Sequence, residues 1–159
     1  MSYNLPLLLI PAYYALAILP HGYALVLATQ GNPARHDNRN PKSSSLKDGL
    51  KKKLSAKEYA AWERAESCHR NHLENMPLFV ATVFAGILAE QQSPGANAAA
   101  GLLGLNSFCT GWMAIRVLYT LNYLTAETQF WSYLRSVLYF AGTFWAFGSI
   151  GKAALALGP

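Results

Sequence analysis

Residues 63–77 read ERAESCHRNHLENMP and place charged and amide side chains beside an apolar run of membrane-helix character. At about 100° per residue, one face of the predicted helix carries a polar stripe of Arg64, Ser67, Arg70, Asn71 and Glu74. A charge inside a bilayer is costly unless it faces a protein interior, a partner or water. We therefore expect the polar stripe to turn inward. A single Arg–Glu pair that fixes helix register is the simpler, purely structural alternative.

The composition is that of a small membrane protein. Of the 159 residues, 52% are hydrophobic and 13% are charged, which favours one domain over residues 1–159 rather than several soluble domains. Cys68 and Cys109 are too few for a disulfide framework, and we expect both thiols to be buried and inert. No nucleic-acid-binding pattern accompanies the basic residues, and the start lacks the positive region of a removable signal peptide.

Hydropathy predicts an all-α integral membrane protein, a four-helix transmembrane bundle. The helices are expected at about residues 5–29, 58–90, 98–124 and 130–157. Residues 30–57 form a polar loop with eight Lys or Arg and room for a short helix near its end. The positive-inside rule places this loop in the cytosol. The lysine run at 51–53 is typical of a solvated flank attracted to anionic headgroups. Ser55 and Glu58 predict a capping box where the second long helix begins.

Two further polar clusters are predicted in the cytosolic half of the bundle. They are Arg116, Tyr119 and Tyr123 on the third helix, and Arg135, Ser136 and Tyr139 on the fourth. Polar groups from three helices at one depth indicate a ligand pocket between helices. Arginine forks favour an anionic ligand, and a cation beside a thiol lowers the pKa of that thiol. His69 and His72 are one helical turn apart, but no third ligand is in view, so we predict no metal site.

These motifs resemble the MAPEG family, the membrane-associated proteins of eicosanoid and glutathione metabolism. Residues 69–77, HRNHLENMP, are similar to the family's Arg-Asn-x-x-Glu core, and Glu63-Arg64 is similar to the Glu-Arg that opens the same segment. Matches to the prostaglandin synthase branch are Arg116-Val117 with Tyr123, and Arg135-Ser136-Val137-x-Tyr139. Departures from that branch are Ser67, where it has an arginine, and Tyr119, where it has a histidine.

The resemblance implies a homotrimer in the endoplasmic reticulum membrane, with active sites between neighbouring subunits that face the cytosol. It implies glutathione as the ligand, bound by Arg64, Arg70, Asn71, Glu74, Arg116, Tyr119, Tyr123 and Tyr139. Arg135 would stabilise the thiolate, with Ser136 as an alternative thiol activator. The expected activity is a glutathione transferase or glutathione-dependent isomerase acting on a lipophilic electrophile. Two alternatives stay open: a glutathione-independent enzyme that rearranges a lipophilic metabolite, favoured by Ser67, and a non-catalytic lipid-binding scaffold.

Overall fold

The computed structural model describes residues 4–36, 39–41, 43–94 and 104–158. Within those ranges the chain is all helical, as predicted, and contains no strand. The α-helices are α1 (Leu5–Thr29), α2 (Ser44–Lys53), α3 (Ala56–Gln92), α4 (Leu105–Thr125) and α5 (Gln129–Ala156), with a 3₁₀ turn at Pro33–Arg35. Four long helices and one short helix therefore form the described part of the chain.

The starts of the helices follow from their capping residues. Asn4 accepts a hydrogen bond from the Leu7 amide at the start of α1. The capping box predicted for α3 is confirmed: the Ser55 hydroxyl accepts from the Glu58 amide at 3.3 Å, and the Glu58 carboxylate accepts from the Ser55 amide at 2.9 Å. The second long helix thus begins at Ala56 rather than at 58, and it ends at Gln92 rather than at 90.

The start of the third long helix also differs from the prediction. The third long helix, expected from residue 98, is described from Leu105 with Gly104 at its N-cap, and residues 98–103 lie outside the described residues. The short helix for which the basic loop had room near its end is the ten-residue helix α2. Leu46, Leu50 and Leu54 recur at four-residue spacing, and all three pack in a cluster with residues of α1 and α3. Those leucines explain why so polar a segment folds.

The long helix α3 lies at the centre of the fold, because it contacts α1, α2, α4 and α5. An aromatic core joins it to α1 and α4. The Phe79 and Trp112 rings stack at 5.5 Å, and Tyr13 packs edge-on against them at 5.2 Å and 5.9 Å. Such pairs contribute about 0.5–1.5 kcal/mol each beyond the area they bury. Ala146 of α5 belongs to the same buried cluster, so all four long helices share one core.

Among the described residues, two of the four predicted transmembrane helices are apolar and long enough to cross a bilayer. They are α1 and α3, whose most apolar stretches have mean hydropathies of 1.5 and 1.4. At 1.5 Å per residue, α1 extends about 37 Å, which exceeds a hydrocarbon core of about 30 Å. Large apolar side chains also cover the outside of the bundle, including Leu19 of α1 and Phe144 of α5, each 65% exposed. Outer surfaces this apolar are typical of contact with lipid or with a partner chain.

Candidate functional site

The guanidinium of Arg116 is the centre of the candidate site. Arg116 lies on α4, is fully buried, and donates from Nη1 to the Asn71 side-chain oxygen on α3 at 3.3 Å. Three rings surround the guanidinium carbon: Trp112 at 4.5 Å, Tyr119 at 5.4 Å and Tyr139 at 5.9 Å from the ring centroids. Because Tyr139 belongs to α5, side chains from three long helices meet at this charge.

The hydrogen-bonding capacity of Arg116 is only partly used. Its Nε and Nη2 nitrogens are buried and have no hydrogen-bond partner among the described residues, and no described carboxylate forms an ion pair with it. Each buried donor left unsatisfied costs about 1–3 kcal/mol, and more when it is charged. Cation–π contacts with the surrounding rings offset part of that cost. An anionic acceptor from outside the protomer would complete this arrangement.

Arg135 is connected to the same centre through two tyrosines. Its guanidinium carbon lies 4.2 Å from the Tyr123 ring centroid, and the Tyr123 ring packs against the Tyr119 ring at 5.4 Å. Arg135 is half-buried, whereas Arg116 is fully buried. We call the connected set the arginine–tyrosine cluster; it comprises Asn71, Arg116, Tyr119, Tyr123, Arg135 and Tyr139.

Four residues predicted for the site lie outside this cluster. Arg70, Glu74 and Ser136 are exposed, and Arg64 is half-buried with a buried Nε that has no partner among the described residues. None of the four forms a hydrogen bond or ion pair with the arginine–tyrosine cluster. The structure of the single chain therefore gathers six of the ten predicted site residues and leaves four apart.

The polar stripe turns inward only in part. Asn71 bonds to Arg116, and Arg64 and Ser67 are half-buried, whereas Arg70 and Glu74 are exposed. The face of α3 that packs into the bundle carries other residues, namely Trp62, Ala65, Cys68, His72, Asn75 and Phe79. Most of these side chains are small or aromatic and fit closely against neighbouring helices, whereas Arg70 and Glu74 of the stripe point outward. Exposed charges on a membrane helix require water or a partner chain beside them.

His72 positions the candidate site through hydrogen bonds, a role that sequence reasoning missed. Its Nε2 lies 2.8 Å from the Thr120 hydroxyl oxygen, and that hydroxyl donates to the Arg116 carbonyl at 2.8 Å. The Tyr13 hydroxyl in turn donates to the His72 carbonyl at 3.2 Å. His72 therefore fixes the turn of α4 that carries Arg116. From the sequence, the spacing of His69 and His72 suggested only a possible metal site. In the structure the His69 ring bonds to α1 and the His72 ring bonds to α4.

The chain was compared with known proteins. A sequence model of the MAPEG family matches residues 7–155. No individual curated protein and no solved structure gives a significant match. The matched range includes every residue of the arginine–tyrosine cluster and all four predicted site residues outside it.

Proposed function

Since the chain belongs to the MAPEG family, we propose that it is a membrane glutathione transferase or glutathione-dependent isomerase acting on a lipophilic electrophile. Members of this family are membrane-associated and act in glutathione or eicosanoid metabolism. The observation that carries the proposal is the buried guanidinium of Arg116, with two nitrogens that no described residue satisfies. A positive charge held in the protein interior without an anion is suited to an anionic ligand.

The residues present fit glutathione, which has two carboxylates, an ammonium group and a thiol. Arg116 and Asn71 offer donors for a carboxylate, with the Tyr139 ring beside them. Arg70 offers a second cation and Glu74 a carboxylate for the ammonium, both at the outer surface of α3. A peptide that contacts both Arg116 with Asn71 and Arg70 with Glu74 has to lie at the surface of the chain. A site at that surface is compatible with the homotrimer that we propose from the family, in which each site lies between neighbouring subunits.

Arg135 is proposed as the catalytic residue. When bound, glutathione supplies a thiol that reacts as its thiolate. The Tyr123 ring holds the Arg135 guanidinium in place, so its charge is already positioned before the ligand arrives. At about 4 Å, a unit charge stabilises an opposite charge by about 1 kcal/mol in water and about 4 kcal/mol near a protein surface. Ser136, the next residue, is an alternative hydrogen-bond donor to the same sulfur.

A groove between α4 and α5 is a candidate entrance for the lipophilic substrate. It has a volume of about 400 Å³ and is lined by Leu118, Leu121, Asn122, Trp131, Leu134 and Leu138, among others. The groove and Arg135 share α5, with Leu134 and Leu138 of that helix in the lining. Apolar substrate would enter sideways from the bilayer of the endoplasmic reticulum, and glutathione would enter from the cytosol.

A conjugation assay tests the proposed function. The purified protein is given glutathione and chlorodinitrobenzene, beside Arg135→Ala and Ser136→Ala. We expect conjugation by the wild type, near-background rates for Arg135→Ala and a largely retained rate for Ser136→Ala. Conjugation lost only in Ser136→Ala would reassign thiol activation to the serine. A wild-type protein that neither binds glutathione nor conjugates it would overturn the proposal and favour the scaffold or the glutathione-independent enzyme.

A further inference from the structure

A second cavity lies on the side of α3 that faces α1 and α2. It has a volume of about 820 Å³, within the usual range for small-molecule sites. Its lining includes an apolar set, Leu25, Leu46, Leu50 and Trp62, and a basic set, Arg35, His36, Arg39 and Lys53. We call it the basic cleft. None of the residues of the arginine–tyrosine cluster lines it, so it is separate from the candidate glutathione site.

Two cations of the basic cleft are fixed in place by neutral oxygens. Arg35 donates from Nη1 to the Gln30 side-chain oxygen at 2.8 Å, and Lys53 donates from Nζ to the Ala28 carbonyl at 3.0 Å. These contacts position both side chains without cancelling their charge. Among the described lining residues, Glu66 is the one carboxylate, and it is paired with the His21 ring at 2.8 Å. The described lining of the basic cleft therefore carries a net positive charge and favours an anion.

The apolar lining indicates that the ligand also has an apolar part, because a free inorganic anion gains no binding energy from hydrocarbon side chains. Trp62, Leu50 and Leu25 bring apolar surface into the same cavity as the two cations. The cavity also lies at the end of α1, a helix long enough to span the hydrocarbon core. An anionic phospholipid meets both requirements at that level of a membrane, because its phosphodiester carries a negative charge and its acyl chains supply apolar surface.

We propose that the basic cleft binds an anionic phospholipid, its phosphodiester paired with Arg35 and Lys53 and its glycerol and upper acyl carbons against Leu25, Leu50 and Trp62. This site does not depend on the proposed glutathione chemistry. It depends only on the membrane placement of the family. The phosphodiester group also occurs outside lipids, so the experiment separates a lipid from a free phosphate.

Native mass spectrometry of the detergent-purified chain tests the site. Phosphatidylglycerol, phosphatidylcholine with the same acyl chains, and inorganic phosphate are titrated separately. We expect phosphatidylglycerol to be retained in preference to phosphatidylcholine, whose choline cation offsets the phosphodiester charge. The double variant Arg35→Gln with Lys53→Gln should bind phosphatidylglycerol at least about tenfold more weakly, because two charge-assisted bonds are lost. The matched control is Lys51→Gln with Lys52→Gln, which removes the same charge from exposed residues of α2 outside the cleft.

Three results would overturn the proposal. An equal loss in both double variants would show general attraction to a basic surface rather than a site. Inorganic phosphate bound as tightly as phosphatidylglycerol would show that the apolar wall plays no part. Loss of glutathione binding together with lipid binding in the cleft variant would make the cleft part of the glutathione site. If the double variant does not fold, Arg35→Gln and Lys53→Gln are measured singly against Lys51→Gln.

Discussion

Replacement of Arg116 by methionine should weaken ligand binding while changing the stability of the ligand-free protein little. The variant removes two buried nitrogens without partners, a relief of roughly 2–6 kcal/mol at about 1–3 kcal/mol each. It also loses the 3.3 Å hydrogen bond to Asn71, about 1 kcal/mol, and three ring contacts at about 0.5–2 kcal/mol each. These terms nearly cancel, so the free energy of unfolding should change by less than about 2 kcal/mol.

Glutathione binding should respond much more strongly to the same substitution. Loss of a hydrogen bond to a charged partner costs about 1.5–3 kcal/mol, or roughly 10- to 100-fold in affinity. At a glutathione concentration of about 100 times the wild-type Kd, the ligand should stabilise the wild type by about 2.7 kcal/mol. A hundredfold weaker Arg116→Met would gain only about 0.4 kcal/mol.

Thermal unfolding in detergent, with and without glutathione, measures both the stability of the ligand-free protein and the stabilisation by glutathione. Lys47→Met, which removes an exposed cation of α2, is the control and should match the wild type in both conditions. A ligand-free Arg116→Met destabilised by more than about 3 kcal/mol would show that the arginine is a satisfied structural group. If glutathione raised the melting temperature of Arg116→Met as much as that of the wild type, the proposal that Arg116 binds the ligand would be refuted.

Two further predictions concern the scaffold. Gly111→Ala should cost about 1–3 kcal/mol of stability, because the added methyl group would meet the Trp145 ring. The control Gly22→Ala, with nothing within 4 Å of the new methyl group, should be neutral or slightly stabilising. The midpoints of thermal unfolding of the two variants measure the difference. Ser55→Ala should cost about 1 kcal/mol of stability by removing the cap of α3, and it should leave glutathione affinity unchanged. A melting curve and a binding titration measure the two effects. A lower melting temperature accompanied by a weaker glutathione affinity would contradict the prediction.

The sequence predicted the long helices well because their signals are local. The run of apolar residues that defines α1 gives the range Leu5–Thr29 directly, and the Ser55–Glu58 pair marks the start of α3. The convergence of Asn71, Arg116 and Tyr139 was also predictable, since successive helices that each cross a membrane run in opposite directions and place the polar segments of α3, α4 and α5 at one level. A short helix near the end of the basic loop was expected, but its bounds were harder to predict, because three leucines are few among so many serines and lysines.

The direction of the polar stripe was not predictable by the same reasoning. Helical periodicity shows which residues share a face, but a face covered by a neighbouring subunit has the same pattern as one covered by the protomer's own helices. Arg70 and Glu74 therefore had the pattern of an inward face although they point outward. His72 was missed for a related reason: its partners Thr120 and Tyr13 are 48 and 59 residues away in the chain.

The central claim, that this chain activates the thiol of glutathione through Arg135, is tested most directly by ultraviolet absorbance at the thiolate band. Glutathione is titrated at neutral pH into the wild type and into Arg135→Ala. A free thiol with a pKa of about 8.5 is only about 3% ionised at pH 7, so a strong thiolate signal requires stabilisation by the protein. We predict such a signal in the wild type and its loss in Arg135→Ala. Glutathione bound without a thiolate signal, or an equal signal in both proteins, would contradict the role assigned to Arg135.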